Sequence, residues 1–186
     1  DIGDAEQLCE HLGIKSYEIN IGNATEAIIA TLIACGLVPS VQTKTNLPPR
    51  IRMTTLFAVA QTCNGRVANT CNFSEDFLGW NTLFGDSAGQ FAPLAKLTAT
   101  EVIKIAEVLN LPENLVHKAP ADGLTDKSDE DNFGFTYDFL DTYIRTGYYG
   151  IDTATAAKID SMHNRNKFKL APMPHFDYYP EDPYRF

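Results

Sequence analysis

The sequence predicts an α/β fold with a doubly wound, mainly parallel sheet that carries helices on both faces. Segments with helical periodicity alternate with short apolar segments along the chain, which is typical of a parallel sheet. A glycine- and acid-rich segment, residues 69–89, follows a predicted strand and shows neither helical nor strand periodicity. Such a segment fits the carboxyl edge of a sheet, where open α/β folds bind their ligands. We expect one domain over residues 1–186, with an extended tail over residues 164–186.

The first elements follow from spacing and from glycine stop signals. Residues 4–12 place apolar side chains at helical spacing, and Gly13 follows as a helix stop. Residues 17–21 alternate as a strand does. Residues 27–37 repeat the helical pattern until Gly36. Helix, strand and helix are therefore predicted in that order.

The middle of the chain adds a longer helix and a second strand. Pro48 and Pro49 predict the start of a helix that runs through Cys63, because proline suits the first helical turn. Residues 66–70 form the next predicted strand. The glycine- and acid-rich segment begins at the end of this strand.

Helices dominate the predictions for the second half. Thr98 and Glu101 have capping-box spacing, and an apolar stripe follows them to Leu109. The polar run 122–132 predicts a loop. Further helices are predicted over residues 137–145 and 152–163. The proline-rich end, with Pro172, Pro174, Pro180 and Pro183, predicts an extended tail.

Composition narrows the class of protein. The chain has 186 residues, 44% of them hydrophobic, which is enough for one sizeable core. Its net charge of -9 argues against nucleic acid or an anionic membrane as the main partner. The four cysteines form no CxxC pair, so buried free thiols in a reducing cytoplasm are expected rather than a zinc site or a disulfide framework. No apolar run reaches membrane-spanning length.

The glycine- and acid-rich segment resembles the corresponding segment of the ammonia-dependent NAD synthetases. In that family a strand ends in a threonine, a glutamate lies five residues on, and a Gly-aromatic pair and a Gly-Asp pair follow. The matching residues are Thr70, Glu75, Gly79-Trp80 and Gly85-Asp86. The resemblance extends upstream to residues 46–53, which carry an Asn-x-x-x-Arg-x-Arg-Met pattern, and downstream to residues 118–124 and 128–137. It covers nearly the whole chain.

The resemblance implies a nucleotide-binding fold with its first part missing. Members have the adenine nucleotide α-hydrolase fold, which is Rossmann-like, and begin with a Ser-Gly-Gly-x-Asp-Ser loop around the pyrophosphate of ATP. That loop is not found in these residues. We therefore expect the chain to be N-terminally incomplete, and the 186 residues alone to be inactive.

The implied reaction is the conversion of nicotinic acid adenine dinucleotide to NAD. The family adenylates a carboxylate with ATP and displaces AMP with ammonia, and Mg²⁺ neutralises phosphate charge. Glu75 matches the metal-holding glutamate, although a helix N-terminal acid is the alternative reading. Thr70 matches a hydroxyl offered to ATP, against the alternative of a local turn. The resemblance also implies a cytoplasmic homodimer.

The dinucleotide site is implied by a further group of residues, with no catalytic residue assigned. Arg50 and Arg52 are both predicted in a first helical turn, where an arginine opposes the helix dipole, so a ligand role is favoured for one of them, and the resemblance implies Arg50. Asn46 either caps that turn or touches the ligand, and Trp80 either stacks on nicotinate or packs in the core. Asp86 either orients the loop or approaches the ribose. Lys167 and Lys169 either reach the partner subunit's substrate or are solvated tail charges.

Four positions depart from the family pattern. Leu83 and Gln90 replace a lysine and an aspartate, while Ala99 and Ala121 replace a lysine and a hydroxyl that would face ATP phosphates. Either ATP binding is weakened by these changes, or Lys96 or Lys118 compensates for them, with Lys118 the ATP-binding candidate. Two alternatives to the NAD synthetase hypothesis therefore stay open. One is a related ATP-pyrophosphatase with another substrate, and the other is a non-catalytic module that binds nucleotide or dimerises.

Overall fold

The protein was analysed as a computed structural model, which describes residues 2–121, 127–147 and 152–175. Helices dominate these ranges. The α-helices are α1 (Ile2–Leu12), α2 (Gly22–Ala34), α3 (Val41–Thr62), α4 (Phe73–Leu78), α5 (Ala99–Val108), α6 (Glu113–Val116), α7 (Asp129–Phe133), α8 (Tyr137–Thr146) and α9 (Thr153–Asn166), and α9 continues into a 3₁₀ turn at Lys167–Lys169.

Several predicted helices are confirmed with small changes at their ends. Helices α1, α5 and α8 occupy the predicted positions, whereas α2 starts five residues earlier and ends three residues earlier than predicted. The capping box of α5 is present, because the Glu101 carboxylate accepts from the Thr98 backbone N–H at 2.8 Å. Thr136 caps α8 by accepting from the Phe139 backbone N–H at 3.3 Å.

The predicted start of α3 is wrong. The helix begins at Val41, after the Ser40 hydroxyl accepts from the Thr43 backbone N–H at 3.0 Å, so Pro48 and Pro49 lie inside it. A proline nitrogen has no hydrogen to donate, so each proline removes one helical hydrogen bond without ending α3. The polar N-cap sets the helix start here, and the proline pair does not.

Two further boundaries are corrected. The predicted loop over residues 122–132 contains the start of α7, which the Ser128 hydroxyl caps by accepting from Asp131 N–H at 3.1 Å; residues 122–126 lie outside the described ranges. The predicted extended tail from residue 164 is helical through Lys169. Asn166 Nδ2 donates to the Leu78 carbonyl at 2.8 Å, and this tertiary contact holds the last turn of α9.

The predicted strands do not pair into a sheet within the described residues. Ala68 forms an isolated parallel bridge with Phe91, supported by Asn69 N–H donating to the Phe91 carbonyl at 2.8 Å. Residues 17–21 have no ladder partner in the part of the chain that the structure describes. A strand needs a neighbour to accept and donate its backbone hydrogen bonds, and the described segments supply one only at this bridge.

The core lies in the second half of the chain. Leu78 of α4, Phe133 of α7, Leu140 of α8 and Ile159 of α9 are each fully buried. Burial of each such side chain contributes about 1.5 to 3 kcal/mol. By contrast, the described residues of α1 and α2 include none that is buried. The core therefore supports the segment around Trp80 from one side.

A buried polar network joins three of these helices. Ser74 Oγ donates to Asp141 Oδ1, and the same hydroxyl accepts from the Ala99 backbone N–H at 3.0 Å. The second Asp141 oxygen accepts from the Thr100 backbone N–H at 2.8 Å. Asp141 is only 4% exposed, so its charge is compensated at the N-terminus of α5. The network fixes α4, which carries Glu75, against α5 and α8.

None of the helices in the described ranges is both long enough and apolar enough to cross a membrane.

Candidate active site

A cavity of about 750 Å³ opens between α3, the segment that follows Ala68, the start of α7 and the end of α9. Its α3 wall comes from side chains three or four residues apart, which share one helix face. They are Gln42, Thr45, Asn46, Pro49 and Arg52. The early start of α3 therefore matters for the site, because the first turns supply part of this wall.

The acidic wall comes from α4. Asn72 Oδ1 accepts from the Glu75 backbone N–H at 3.0 Å, and Glu75 Oε2 accepts from the Asn72 backbone N–H at 2.9 Å. This capping box orients the carboxylate of Glu75 toward the cavity. Gly79 then ends the helix with left-handed angles, φ 64° and ψ 34°, and turns the chain so that Trp80 also lines the cavity.

Burial dominates the electrostatics of Glu75. It raises the pKa of this carboxyl from 4.5 to about 7, and the hydrogen bond from Asn72 only partly opposes the effect. The charges of Asp129, Asp76 and Asp86 raise the pKa further. A cation bound beside Glu75 would relieve both the burial cost and the repulsion among these acids.

Glu75 fits a magnesium site that is completed by substrate. Among the described residues no group of three or more histidine, cysteine, aspartate and glutamate side chains is arranged to hold a metal ion. Mg²⁺ commonly uses only one or two carboxylates and takes its remaining ligands from phosphates and water. The Glu75 carboxylate is a hard oxygen donor of this kind, so the residues present fit the ion.

Asp129 links the cavity to the core. Its Oδ1 accepts from Trp80 Nε1 at 3.1 Å, and its Oδ2 accepts from the Tyr137 hydroxyl at 3.0 Å. Trp80 also packs edge-on against Phe133, with ring centroids 4.8 Å apart. Trp80 thus packs against the core, as one sequence-based alternative expected, and it also lines the cavity.

Asp86 and Asn46 organise the loop after Trp80. Asp86 Oδ1 accepts from the Thr82 backbone N–H at 2.8 Å, while the Thr82 hydroxyl donates to Asn46 Oδ1 at 3.0 Å. Both side chains line the cavity as well. The alternative that Asn46 caps a helical turn is wrong, because Asn46 lies inside α3.

The two arginines of α3 have different surroundings. Arg50 Nε donates to the Leu83 carbonyl at 3.2 Å, whereas Arg52 lines the cavity. Neither lies in a first helical turn, because α3 starts at Val41, so the dipole reasoning that favoured a ligand role for one of the two does not apply. The geometry places Arg52, and not Arg50, on the cavity wall.

The lysine candidates are divided between the cavity and the surface. Lys169 lines the cavity, and its Nζ donates to the Gly79 and Asn81 carbonyls at 2.7 Å each. Lys167 donates to Asn164 Oδ1 at 3.1 Å and is not part of the cavity wall. Lys118 forms an ion pair with Asp4 of α1, also away from the wall.

Of the remaining positions that the family resemblance relates to ATP, two line the cavity and one belongs to the core. Thr70 lines the cavity on an exposed part of the chain. Ala121 also lines the cavity, whereas Ala99 is 9% exposed and belongs to the core. Cys71 lines the cavity too, but burial raises the pKa of its thiol to about 12, so it is held as a neutral thiol at physiological pH.

Sequence reasoning gave no role to several cavity residues, among them Asn81, Asp129, Arg165 and Asn166. Asp129 stood inside a recognised motif, but its partners Trp80 and Tyr137 are revealed only by the fold. Arg165 and Asn166 were assigned to the extended tail, because the helical pattern was ended too early. Asn81 Oδ1 is buried without a hydrogen-bond partner in the structure, so a ligand that donates there would satisfy it.

Comparison with known proteins gives a consistent result. A family model described as NAD synthase matches residues 1–173. The NH3-dependent NAD+ synthetase of Carboxydothermus hydrogenoformans is 34% identical over 176 residues, which cover 94% of this chain and 72% of that protein. The enzyme of the same name from Thermococcus kodakarensis is 39% identical over 142 residues, which cover 76% of this chain and 55% of that protein.

Solved structures resemble the chain in the same way. An NMN synthetase from Francisella tularensis superposes with a TM-score of 0.85 and is 34% identical, covering 94% of this chain and 73% of that one. An NH3-dependent NAD synthetase from Campylobacter jejuni has a TM-score of 0.74 and 27% identity, covering 95% and 71%. The shared fold, the family match and the motifs that meet at one cavity lead to one conclusion: the chain belongs to the NAD synthase family.

Proposed function

We propose that the natural protein is a ligase that forms NAD from nicotinic acid adenine dinucleotide, ATP and ammonia. The observation that carries this proposal is that the Glu75 carboxylate, the Trp80 ring, Arg52 and Lys169 line one cavity. An acid for a metal, an aromatic ring for a heteroaromatic and cations for anionic oxygens are the groups that such a reaction needs. Relatives named NH3-dependent NAD+ synthetase support the same activity.

The proposed chemistry has two steps. An oxygen of the nicotinate carboxylate attacks the α-phosphorus of ATP, and pyrophosphate leaves. Ammonia then attacks the carbonyl carbon of the adenylate, loses a proton, and AMP leaves with the original carboxylate oxygen. The chain's contribution is to align the two substrates and to limit hydrolysis of the adenylate by water.

We assign the metal to the Glu75 side of the cavity. Mg²⁺ would neutralise phosphate charge there when ATP binds. Glu75 would be held in its ionised form by that cation, and Thr70 would offer its hydroxyl to ATP from the same side. Lys118, which is paired with Asp4, would have to exchange this partner to reach ATP.

The nicotinate-bearing substrate is assigned to the part of the cavity around Trp80. Trp80 would flank the ring, held by Asp129, while Asn46 and Asp86 keep the loop in place and face the ligand. Lys169 would contribute a cation within its own subunit. Lys167 and Arg50 do not line the cavity, and both remain candidates for contacts with the parts of the substrate that extend out of it.

The proposal also includes the sheet of the fold, the oligomeric state and the cellular location. The parallel bridge between Ala68 and Phe91 supports a doubly wound sheet of the adenine nucleotide α-hydrolase type in the natural protein. Exposed apolar side chains on α2 and α3, including Ile28, Ile33 and Leu56, support a homodimer interface. We place the protein in the cytoplasm, where its free cysteines stay reduced. The expectation that these thiols are buried is wrong for Cys35 and Cys63, which are exposed, and holds for Cys71.

A second candidate uses a smaller substrate. The structural neighbour with a TM-score of 0.85 is named NMN synthetase, so nicotinic acid mononucleotide is the alternative carboxylate to be amidated. The reaction steps would be the same.

One assay separates these candidates. The natural full-length protein is incubated with ATP, Mg²⁺ and ammonium, and with either the dinucleotide or the mononucleotide, and kcat/KM is measured from the amide product. We expect the dinucleotide to be preferred. A higher kcat/KM for the mononucleotide would select the second candidate, and no AMP release with either substrate would reject both.

Replacement of the two α3 arginines by lysine is expected to affect the substrates differently. Arg52→Lys keeps the charge on the cavity wall but loses the planar fork, which costs about 1 to 3 kcal/mol for a buried bidentate contact. We expect KM for the nicotinate substrate to rise about tenfold, with KM for ATP little changed. Arg50→Lys serves as the matched variant and should have a smaller effect, because Arg50 contacts Leu83. A selective effect of Arg50→Lys alone would reverse this assignment.

A further inference from the structure

The carboxyl end of α4 is held in part from outside the helix. The last four carbonyls of an α-helix have no hydrogen-bond partner within it. In α4 the first two of these four accept from backbone N–H groups of the turn that follows, at 2.8 and 3.0 Å. The other two belong to Phe77 and Leu78, and they accept from His163 Nδ1 and Asn166 Nδ2 of α9, each at 2.8 Å. Side chains of α9 therefore complete the hydrogen bonding of α4.

His163 contacts this end of α4 in two ways. A carbonyl oxygen can only accept, so Nδ1 of His163 carries the hydrogen of the 2.8 Å bond to Phe77. The imidazole ring is also stacked on the Phe77 ring, with centroids 4.1 Å apart and an angle of 19° between the planes. His163 is partly buried and does not line the cavity, so it acts on a ligand only through the residues that it holds.

Trp80 follows directly after this helix end. Its backbone N–H donates to the Glu75 carbonyl at 2.8 Å, within the turn that closes α4. One residue, Gly79, separates Trp80 from Leu78, and glycine restrains the backbone less than any other residue type. The bonds from α9 therefore supply much of the restraint on this turn, whereas Asp129 holds the Trp80 side chain at Nε1.

We propose that His163 is a positioning residue, which holds the Phe77 carbonyl and thereby fixes the Trp80 ring in the cavity. This inference rests on the proposed function, in which Trp80 flanks the nicotinate ring. The role belongs to the Nδ1 donor and not to the stacked ring. It concerns the nicotinate substrate and not ATP, because Glu75 is held separately by the capping box at the other end of α4.

Two substitutions separate the donor from the ring. His163→Asn places an amide N–H near the position of Nδ1 and removes the ring, and Asn166 already donates to the next carbonyl in this way. His163→Phe keeps a flat ring against Phe77 but cannot donate. Ser161→Ala, at an exposed position of α9 that does not line the cavity, is the control.

The position of Trp80 is measured directly by ¹⁹F NMR. Each variant is made in the natural full-length protein and labelled with 5-fluorotryptophan. Trp80 is the one tryptophan in these 186 residues, and its resonance is identified by its loss in Trp80→Phe. The same proteins are assayed for KM with the nicotinate substrate and with ATP.

His163→Phe is expected to shift the Trp80 resonance and to raise KM for the nicotinate substrate about fivefold, the size of one lost hydrogen bond, with KM for ATP within about twofold. His163→Asn and Ser161→Ala should resemble the unmodified protein in both measurements. An unchanged Trp80 resonance in His163→Phe, or the same effect from both His163 variants, would overturn the inference. Equal rises in KM for the two substrates would also overturn it, because they would show a general structural role.

A second measurement keeps the test valid if His163→Phe does not fold. ¹⁵N NMR of the unmodified protein, labelled at histidine, shows which ring nitrogen of His163 carries hydrogen, and the His163 signals are those absent from His163→Asn. We expect the hydrogen on Nδ1. An Nδ1 without hydrogen would overturn the inference and leave the proposed function intact. An unmodified protein that forms no amide from a nicotinate substrate would refute the proposed function, and this inference with it.

Discussion

Glu75→Gln is expected to reduce Mg²⁺-dependent amide formation by at least about 100-fold while the protein stays folded. The substitution keeps the side-chain volume and leaves an oxygen to accept from the Asn72 backbone N–H, but it removes the charge that would hold the metal. The measurement is kcat as a function of Mg²⁺ concentration, with far-UV circular dichroism as the check on folding.

Glu113→Gln is the matched control for this change. Glu113 is an exposed acid at the start of α6 and does not line the cavity, so its loss should leave kcat within about twofold. An unchanged Mg²⁺ dependence in Glu75→Gln would return Glu75 to a purely structural role as the acid of the α4 capping box.

The same residue predicts how stability depends on pH without ligands. Burial raises the pKa of Glu75 from 4.5 to about 7 in the folded protein. Between these pH values the folded state holds a proton that the unfolded chain has released, so stability falls as pH rises through this window. The penalty is absent below about pH 4.5 and complete above about pH 7, where it reaches roughly 3 kcal/mol.

Urea unfolding at pH 5 and pH 8 measures this effect. The unmodified protein should lose more stability than Glu75→Gln between the two pH values, because glutamine does not titrate. An equal loss in both proteins would show that other groups cause the pH dependence.

Gly79→Ala is expected to have the largest effect on folding. Residue 79 has φ 64°, which costs an L-residue about 1 to 2 kcal/mol, and a Cβ there would overlap Asn166 Cβ. Forcing α9 away adds about 1 to 3 kcal/mol. We expect a total loss of about 3 kcal/mol in urea unfolding, and weaker substrate binding, because Lys169 and Asn166 are bonded to this turn.

Gly13→Ala separates the two contributions. Gly13 has nearly the same angle, φ 63°, but a Cβ there meets no atom within 4 Å. It should therefore show only the backbone cost of about 1 to 2 kcal/mol. If both variants lost the same free energy of unfolding, the overlap with Asn166 would be relieved by a movement of α9 that does not reduce stability.

Local signals in the sequence were sufficient for most helices and for the site segment. The Thr98 and Glu101 pair has a local physical cause, and it appears in the structure as predicted. Thr70, Glu75, Trp80 and Asp86 were selected from a motif, and the fold brings all of them to one cavity. Local spacing was enough to predict the capped helix, and the family motif was enough to select these four site residues.

Features that depend on distant residues were not predictable in this way. Arg165 reaches the cavity because α9 extends to Asn166, and that extension depends on a hydrogen bond to Leu78, 88 residues earlier. Asp129 is fixed by Trp80, 49 residues away. The start of α3 at Val41 was obscured by Pro48 and Pro49, since proline usually marks a helix start. The choice of Arg50 came from the family motif, which does not indicate that Arg52 is the arginine that lines the cavity.

The most direct test of the central claim follows an oxygen atom. The natural full-length protein is supplied with nicotinic acid adenine dinucleotide labelled with ¹⁸O in its carboxylate, together with ATP, Mg²⁺ and ammonium, and the products are analysed by mass spectrometry. An adenylated carboxylate predicts one ¹⁸O atom in each AMP that is released, in step with NAD formation. Label in inorganic phosphate, or NAD formed without labelled AMP, would contradict the proposed reaction.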